Sequence, residues 1–416
     1  MDMKEIREQA KKRMKGCRVC PECNGKACVG MIPGFGGLRT GRSFARNLES
    51  LQEYGLIMRS MSGVEEPSTA VEIFGKTLSL PILIAPVGGI VLNAQVDGDP
   101  EEEEIKYDEA VTQGAMEAGT WAFTGDSGAP YMYSSGIASC KKRPGCVVPT
   151  IKPREDDKII EKALLAEQSG APAVACDIDA ATLINMRIFG QPVGPKSAES
   201  IAKVTASIQI PFIVKGVMSA EEALACAEAG AKGIVVSNHG GRVLDGMVGT
   251  ADVLPEIAEA VKGRITIFAD GGVRHGEDVL KLIALGADAV LVGRPAAVAA
   301  IGGGAEGVKL MLDTFKRELC DAMMITGVRD IRCVNPRILK KVKITASSFR
   351  RKKIKPGRCA PACFFLGTCW EGLGNTIVKY ISNYMTAYSC LTRFVALVIF
   401  QLRVVFQGLF YRFAGI

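Results

Sequence analysis

A chain of 416 residues with 48% hydrophobic and 23% charged side chains can bury a large core, which excludes global disorder. The formal net charge of +7 is unevenly placed. Residues 337–416 hold 14 Lys and Arg against one acid, Glu371, and the remainder carries −6, so the main body has no nucleic-acid footprint.

The N-terminus, MDMKEIREQAKKRMKG, has no apolar stretch and is not a secretory signal. Residues 2–15 read as a short polar helix with Ile6, Ala10 and Met14 at four-residue spacing. The run Cys17-Arg-Val-Cys20-Pro-Glu-Cys23-Asn-Gly-Lys-Ala-Cys28 follows. Thiolates at such spacing can wrap an iron–sulfur cluster or one zinc. The competing reading is a loop of reduced, partly buried cysteines. The fourteen cysteines are clustered unevenly, which argues against a disulfide framework and for a reducing, cytosolic setting. The next stretch, GMIPGFGGLRTGRSFARN, is glycine-rich but precedes no strand and is given no phosphate-binding weight.

From residue 70 a short apolar run, a polar turn and a helical stretch recur. The apolar runs are 82–86, 121–124, 146–150, 173–178, 211–215, 233–237, 265–269 and 289–293, separated by helical intervals such as 108–118, 155–169, 197–206, 220–229, 251–262 and 277–285. Alternating strand and helix implies parallel strands with crossover helices, and eight repeats predict an α/β fold of the (β/α)8 barrel type. An open doubly wound sheet is the alternative, but no G-x-G-x-x-G follows the first strand.

The sixth run opens into Ser237-Asn238-His239-Gly-Gly-Arg242. The chain has only two histidines, His239 and His275, so His239 leads wherever imidazole chemistry is needed. An imidazole accepts a proton near neutral pH, and a guanidinium three residues on can hold a carboxylate by two parallel hydrogen bonds. The pair suits a small carboxylic acid with a proton to lose. The seventh run ends in Asp270-Gly271-Gly272-Val273-Arg274 and the eighth in Gly293-Arg294-Pro295. Loops after strands seven and eight are the habitual barrel phosphate site, and glycines let backbone N–H groups approach an anion closely.

These motifs, with Phe212-Ile-Val-Lys215, resemble the FMN-dependent α-hydroxy acid dehydrogenases and oxidases, such as glycolate oxidase and lactate oxidase. The resemblance covers roughly residues 45–335 and implies FMN as cofactor. It implies His239 as catalytic base, Arg242 as the clamp on the substrate carboxylate, Asp179 as the group that orients the histidine, and Lys215 beside the flavin ring. It places Ala85, Pro86, Thr124, Ser237, Asp270, Gly271, Gly272, Arg274, Gly293 and Arg294 around the cofactor. A small 2-hydroxy acid is the implied substrate, and a homo-oligomer, tetramer or octamer, the implied assembly. Two rival readings are a flavin-dependent isomerase similar to type 2 isopentenyl diphosphate isomerase, and a flavin electron-transfer protein without turnover.

The sequence also departs from the family. A tyrosine usual before strand one and a Gln-x-Tyr usual on strand three are absent; strand three reads Val148-Pro149-Thr150-Ile151-Lys152. Asp177 stands where threonine is common, and the loop after strand four, about 180–196, is short. Lys152 is a candidate to replace a lost tyrosine by supplying charge. Three regions are expected: an N-terminal helix and cysteine-rich segment over 1–44, the barrel over 45–335, and a basic, then apolar tail over 336–416. The apolar stretch 394–402 is too short to span a bilayer, and extending it takes in Arg403. A peripheral membrane contact by the tail is disfavoured against a C-terminus that is foreign to the domain or weakly ordered.

Overall fold

The computed structural model describes residues 1–342. The barrel strands are β1 (Ile82–Ile84), β2 (Ala122–Thr124), β3 (Val147–Ile151), β4 (Val174–Asp177), β5 (Phe212–Val217), β6 (Gly233–Val236), β7 (Thr266–Ala269) and β8 (Ala289–Val292). Each pairs in parallel with the next, and β8 pairs with β1, so the sheet closes. All eight predicted runs lie on these strands. Nearly every strand residue is buried, as expected when side chains fill the interior and helices cover the outside.

The helices Asp156–Gln168, Ala198–Ala206, Ala220–Glu228, Thr250–Val261 and Gly276–Ala284 fall within a residue of the predicted intervals, and Pro100–Glu117 begins eight residues earlier than expected. Two barrel helices were not predicted. Pro130–Lys142 is written in Tyr, Ser and Gly, poor helix formers, but starts on a proline and buries Met132, Tyr133 and Ile137. Arg294–Thr326 begins at the eighth strand's Gly/Arg turn and runs through a kink at Gly304.

Three additions to the barrel come from the flanking segments. The N-terminal helix Met3–Arg13 starts on a capping box made by Asp2 and Glu5 and buries Ile6 and Ala10. A hairpin of Val71–Ile73 with Lys76–Leu78 brings Phe74 against Trp121 and Phe268, with ring centroids 6.4 and 6.2 Å away. Tyr54–Leu56 pairs antiparallel with Leu339–Lys341, so ordered pairing continues beyond residue 335. The readings made for the rest of the tail, including 394–402, lie outside the described residues.

The helix Arg42–Gln52 is the addition that positions the site. Its first turn is capped from a distance: Asp245 accepts from Thr40 N (2.8 Å) and Arg42 N (3.0 Å). Its body lies on the His239–Gly241 turn. A Cβ at Gly241 would stand 2.4 Å from Phe44 N, and the residue's φ is +77°. Gly241→Ala is therefore expected to cost at least about 1 kcal/mol from backbone conformation alone, with the clash added. The check is thermal unfolding: the variant should melt below the wild type and retain less cofactor, whereas an unchanged melting temperature would show that the helix yields freely.

Candidate active site

The site is assembled at the C-terminal ends of β4, β5, β6 and β7. Asp179 follows β4, Lys215 lies within β5, His239 follows β6 and Asp270 follows β7. Three successive left-handed residues, His239, Gly240 and Gly241 (φ 57°, 63° and 77°), turn the chain sharply after β6. The turn is held from both sides. Ser237 Oγ accepts from His239 N at 3.0 Å and from Lys215 Nζ at 3.1 Å. Asn238 accepts from Gly241 N at 3.1 Å and pairs its side-chain amide with that of Asn47, at 2.7 and 2.9 Å.

This geometry brings His239 Nδ1 to 3.0 Å from Asp179 Oδ1. A carboxylate can only accept, so the neutral ring donates there from Nδ1 and keeps its lone pair on Nε2. Burial pushes the His239 pKa below its ordinary value, and Asp179 only partly offsets this. Burial also pushes Asp179 up, but Lys215 and His239 outweigh it and bring the carboxyl to about 2. For Lys215, burial is outweighed by Asp179 and Asp270, and its pKa is raised. Near neutral pH the cluster thus holds a fixed ammonium, a fixed carboxylate and a neutral imidazole. Such an imidazole can take a proton, and the carboxylate can stabilise the cation formed.

Arg242 projects into the same cleft. Its Nη2 donates to Asn93 Oδ1 at 2.8 Å, while its buried Nε has no hydrogen-bond partner. Burial lowers its pKa to about 10, which leaves it cationic at neutral pH. The cleft continues past Ala85 and Pro86 to Gly271, Gly272, Arg274, Gly293 and Arg294, all of which line it. A Cβ at Gly272 would lie 2.4 Å from Asn47 O. Arg294 lies 4.0 Å over the Phe44 ring and donates to Phe35 O and Gly240 O.

Beyond His239 and Arg242 is a recess lined by Asn93, Ser127, Thr150, Lys152, Asp177 and Leu183, among others. Lys152 Nζ lies 2.6 Å from Asp177 Oδ2 with both side chains buried, so a counter-ion stands beside it in the recess. Asp177, where threonine is common in the family, and Lys152, the residue after β3, thus form one buried ion pair. Asp126, missed in the sequence, accepts from Lys152 N and binds the Arg154 guanidinium.

Sequence reasoning also missed Asn93, Asn47, Phe35 and Glu104. Glu104 is buried and accepts from Gly89 N and Ile90 N, fixing the turn after β1, and burial raises its pKa to about 7 despite those bonds. Phe35 and Asn47 both lie in the glycine-rich stretch set aside above; Asn93 and Glu104 had no adjacent signal. Thr124 lies at the end of β2 beside Gly136 of the following helix, where an added Cβ would stand 2.3 Å from its hydroxyl.

A barrel that gathers these groups at one end defines a flavin-type oxidoreductase of hydroxy acids, and comparison with known proteins gives the same class. The chain belongs to the FMN-dependent dehydrogenase family, which it matches over residues 35–188 and 182–341. It is 31% identical to the 4-hydroxymandelate oxidase of Amycolatopsis orientalis over 339 residues, 71% of this chain and 89% of the relative. It is 32% identical to the L-lactate oxidase of Lacticaseibacillus rhamnosus over 335 residues, 74% and 88% of the two chains. The crystal structure of mandelate oxidase with (S)-4-hydroxymandelic acid superposes with a TM-score of 0.68 at 26% identity, covering 82% of this chain and 98% of that one. The protein is an FMN-dependent 2-hydroxy acid oxidoreductase, and neither the isomerase nor the turnover-free alternative is favoured by these matches.

The cleft fits FMN on its own chemistry. Gly271, Gly272 and Gly293 line it, two arginines stand at one end, and Asp270 Oδ1 is buried without a hydrogen-bond partner, an acceptor suited to a sugar-alcohol hydroxyl.

The buried Lys152–Asp177 pair gives a prediction. Asp177→Asn strands a buried ammonium and should cost about 3–5 kcal/mol, whereas the double change Lys152→Met, Asp177→Asn should cost clearly less than the sum of the singles. Denaturant unfolding of the singles and the double measures this; additive losses would show that the pair is not coupled.

Proposed function

We propose that the protein oxidises a small aliphatic 2-hydroxy acid, of lactate or glycolate size, to the 2-oxo acid, with His239 as the base. The observation that carries this is the His239–Asp179 contact at 3.0 Å, with Arg242 lining the same cleft. Arg242 would hold the substrate carboxylate, using the Nε that has no protein partner. His239 Nε2 would take the hydroxyl proton, and Asp179 would stabilise the imidazolium so formed. Lys215, Asp270, Gly272, Arg274 and Arg294 would hold FMN, which would supply the acceptor for the electron pair and hydrogen leaving C2. Lys215 would keep a fixed positive charge beside it.

The recess supports the small substrate. Its volume is about 30 Å³, whereas an apolar cavity of about 150 Å³ holds a benzene ring. Buried Ser127 Oγ, Thr150 Oγ1 and Asp177 Oδ1 have no hydrogen-bond partners, so the walls are polar as well as close. The cysteines from Cys17 to Cys333 form no disulfides among the described residues, which supports a cytosolic setting. No helix among the described residues is long and apolar enough to cross a membrane.

Single-turnover flavin reduction under anaerobic conditions tests the roles. His239→Gln should slow reduction by ~10²–10⁴ with FMN binding nearly unchanged, and reduction as fast as wild type would refute the base assignment. The active imidazole is neutral, and its pKa is depressed, so kcat/KM should hold steady from pH 8 down to its ordinary value of 6.5 and fall only below it. An acid limb centred above that value would contradict the assignment. Lactate or glycolate should reduce the flavin faster than mandelate; the reverse order would show that the recess opens to admit a ring.

A further inference from the structure

We propose that Cys17, Cys20, Cys23 and Cys28 are the four thiolate ligands of a [4Fe–4S] cluster held beside the arginines of the cofactor cleft. All four cysteines line one cavity of about 170 Å³, far more room than a single ion takes. Its other walls include the apolar Met14, Phe35, Met311 and Phe315 together with the charged Arg7, Arg18 and Glu22. The loop curls around this space because Val19 and Gly25 take left-handed backbone (φ 43° and 77°).

The spread of the thiols selects the metal class. Tetrahedral zinc with Zn–S bonds of about 2.3 Å draws its sulfurs to about 3.8 Å from one another. No three of these four sulfurs lie within 4.8 Å of one another. Four sulfurs on the wall of one cavity of about 170 Å³ have room for a polynuclear core. The Cys-x2-Cys-x2-Cys spacing is that of bacterial cluster-binding runs.

Two donors already address the sulfurs, as ligating thiolates require: Val19 N is 3.4 Å from Cys17 Sγ, and Arg274 Nη2 is 3.6 Å from Cys23 Sγ. Arg274 also donates to Cys23 O at 2.8 Å, and with Arg294 it lines both this cavity and the cofactor cleft. Two guanidinium groups offset part of the charge of four thiolates. The inference stands on the cysteine segment and is independent of the roles proposed for His239 and Arg242.

The test is metal and sulfide analysis of the full chain purified anaerobically and reconstituted with iron and sulfide. About four irons and four sulfides per chain are expected, with a broad absorption near ~400 nm that bleaches on dithionite reduction and yields a paramagnetic signal. Cys17→Ser and Cys20→Ser should each lose most of the iron and sulfide, while Cys333→Ser, an exposed cysteine elsewhere, should keep both. FMN content, measured separately, reports whether each variant has folded. Should the variants fail to fold, the analysis of the unmodified protein decides alone. One zinc per chain, or no metal with all four thiols titrating freely in the native protein, would overturn the assignment.

Discussion

The site depends on one distance, the 3.0 Å between His239 Nδ1 and Asp179 Oδ1. These residues lie beyond β4 and β6, which are not neighbours; β5 lies between them and contributes Lys215, 3.8 Å from Asp179 Oδ2. The closed barrel fixes the separation of the three strands, and the left-handed turn after β6 closes the remaining gap. Removing either constraint would leave a buried carboxylate with an ammonium and no imidazole. Because all three groups are buried, their protonation states are coupled: the ammonium keeps the carboxylate charged, and burial keeps the ring neutral.

The turn is in turn held by a segment far away in sequence. Helix Arg42–Gln52 presents Asn47 to Asn238 and packs its backbone on Gly241, while Asp245 caps that helix. The glycines of the His239 motif thus serve packing as well as the ligand. This is why the glycine-rich stretch before residue 47, which precedes no strand, matters to the cleft: Phe35 O receives Arg294, and Leu38 N donates to Gly241 O at 2.8 Å.

Much of this was legible in the sequence. The strands could be read because buried parallel strands are continuous apolar runs, and the His239, Asp270 and Arg294 loops because they follow such runs directly. What could not be read depends on contacts between distant segments. Nothing local marks Asn93 as the partner of Arg242, or Asp177 as the counter-ion of Lys152, since each is an ordinary polar residue at the end of its own element. Pro130–Lys142 was missed because tertiary burial overrides weak propensity.

The measurement that bears most directly on the reaction is an anaerobic titration of the FMN-loaded protein with a small 2-hydroxy acid, following flavin absorbance and 2-oxo acid together. Oxidation of a hydroxy acid predicts complete bleaching, with one 2-oxo acid formed per flavin reduced. A flavin that dithionite reduces but no small 2-hydroxy acid bleaches would contradict it.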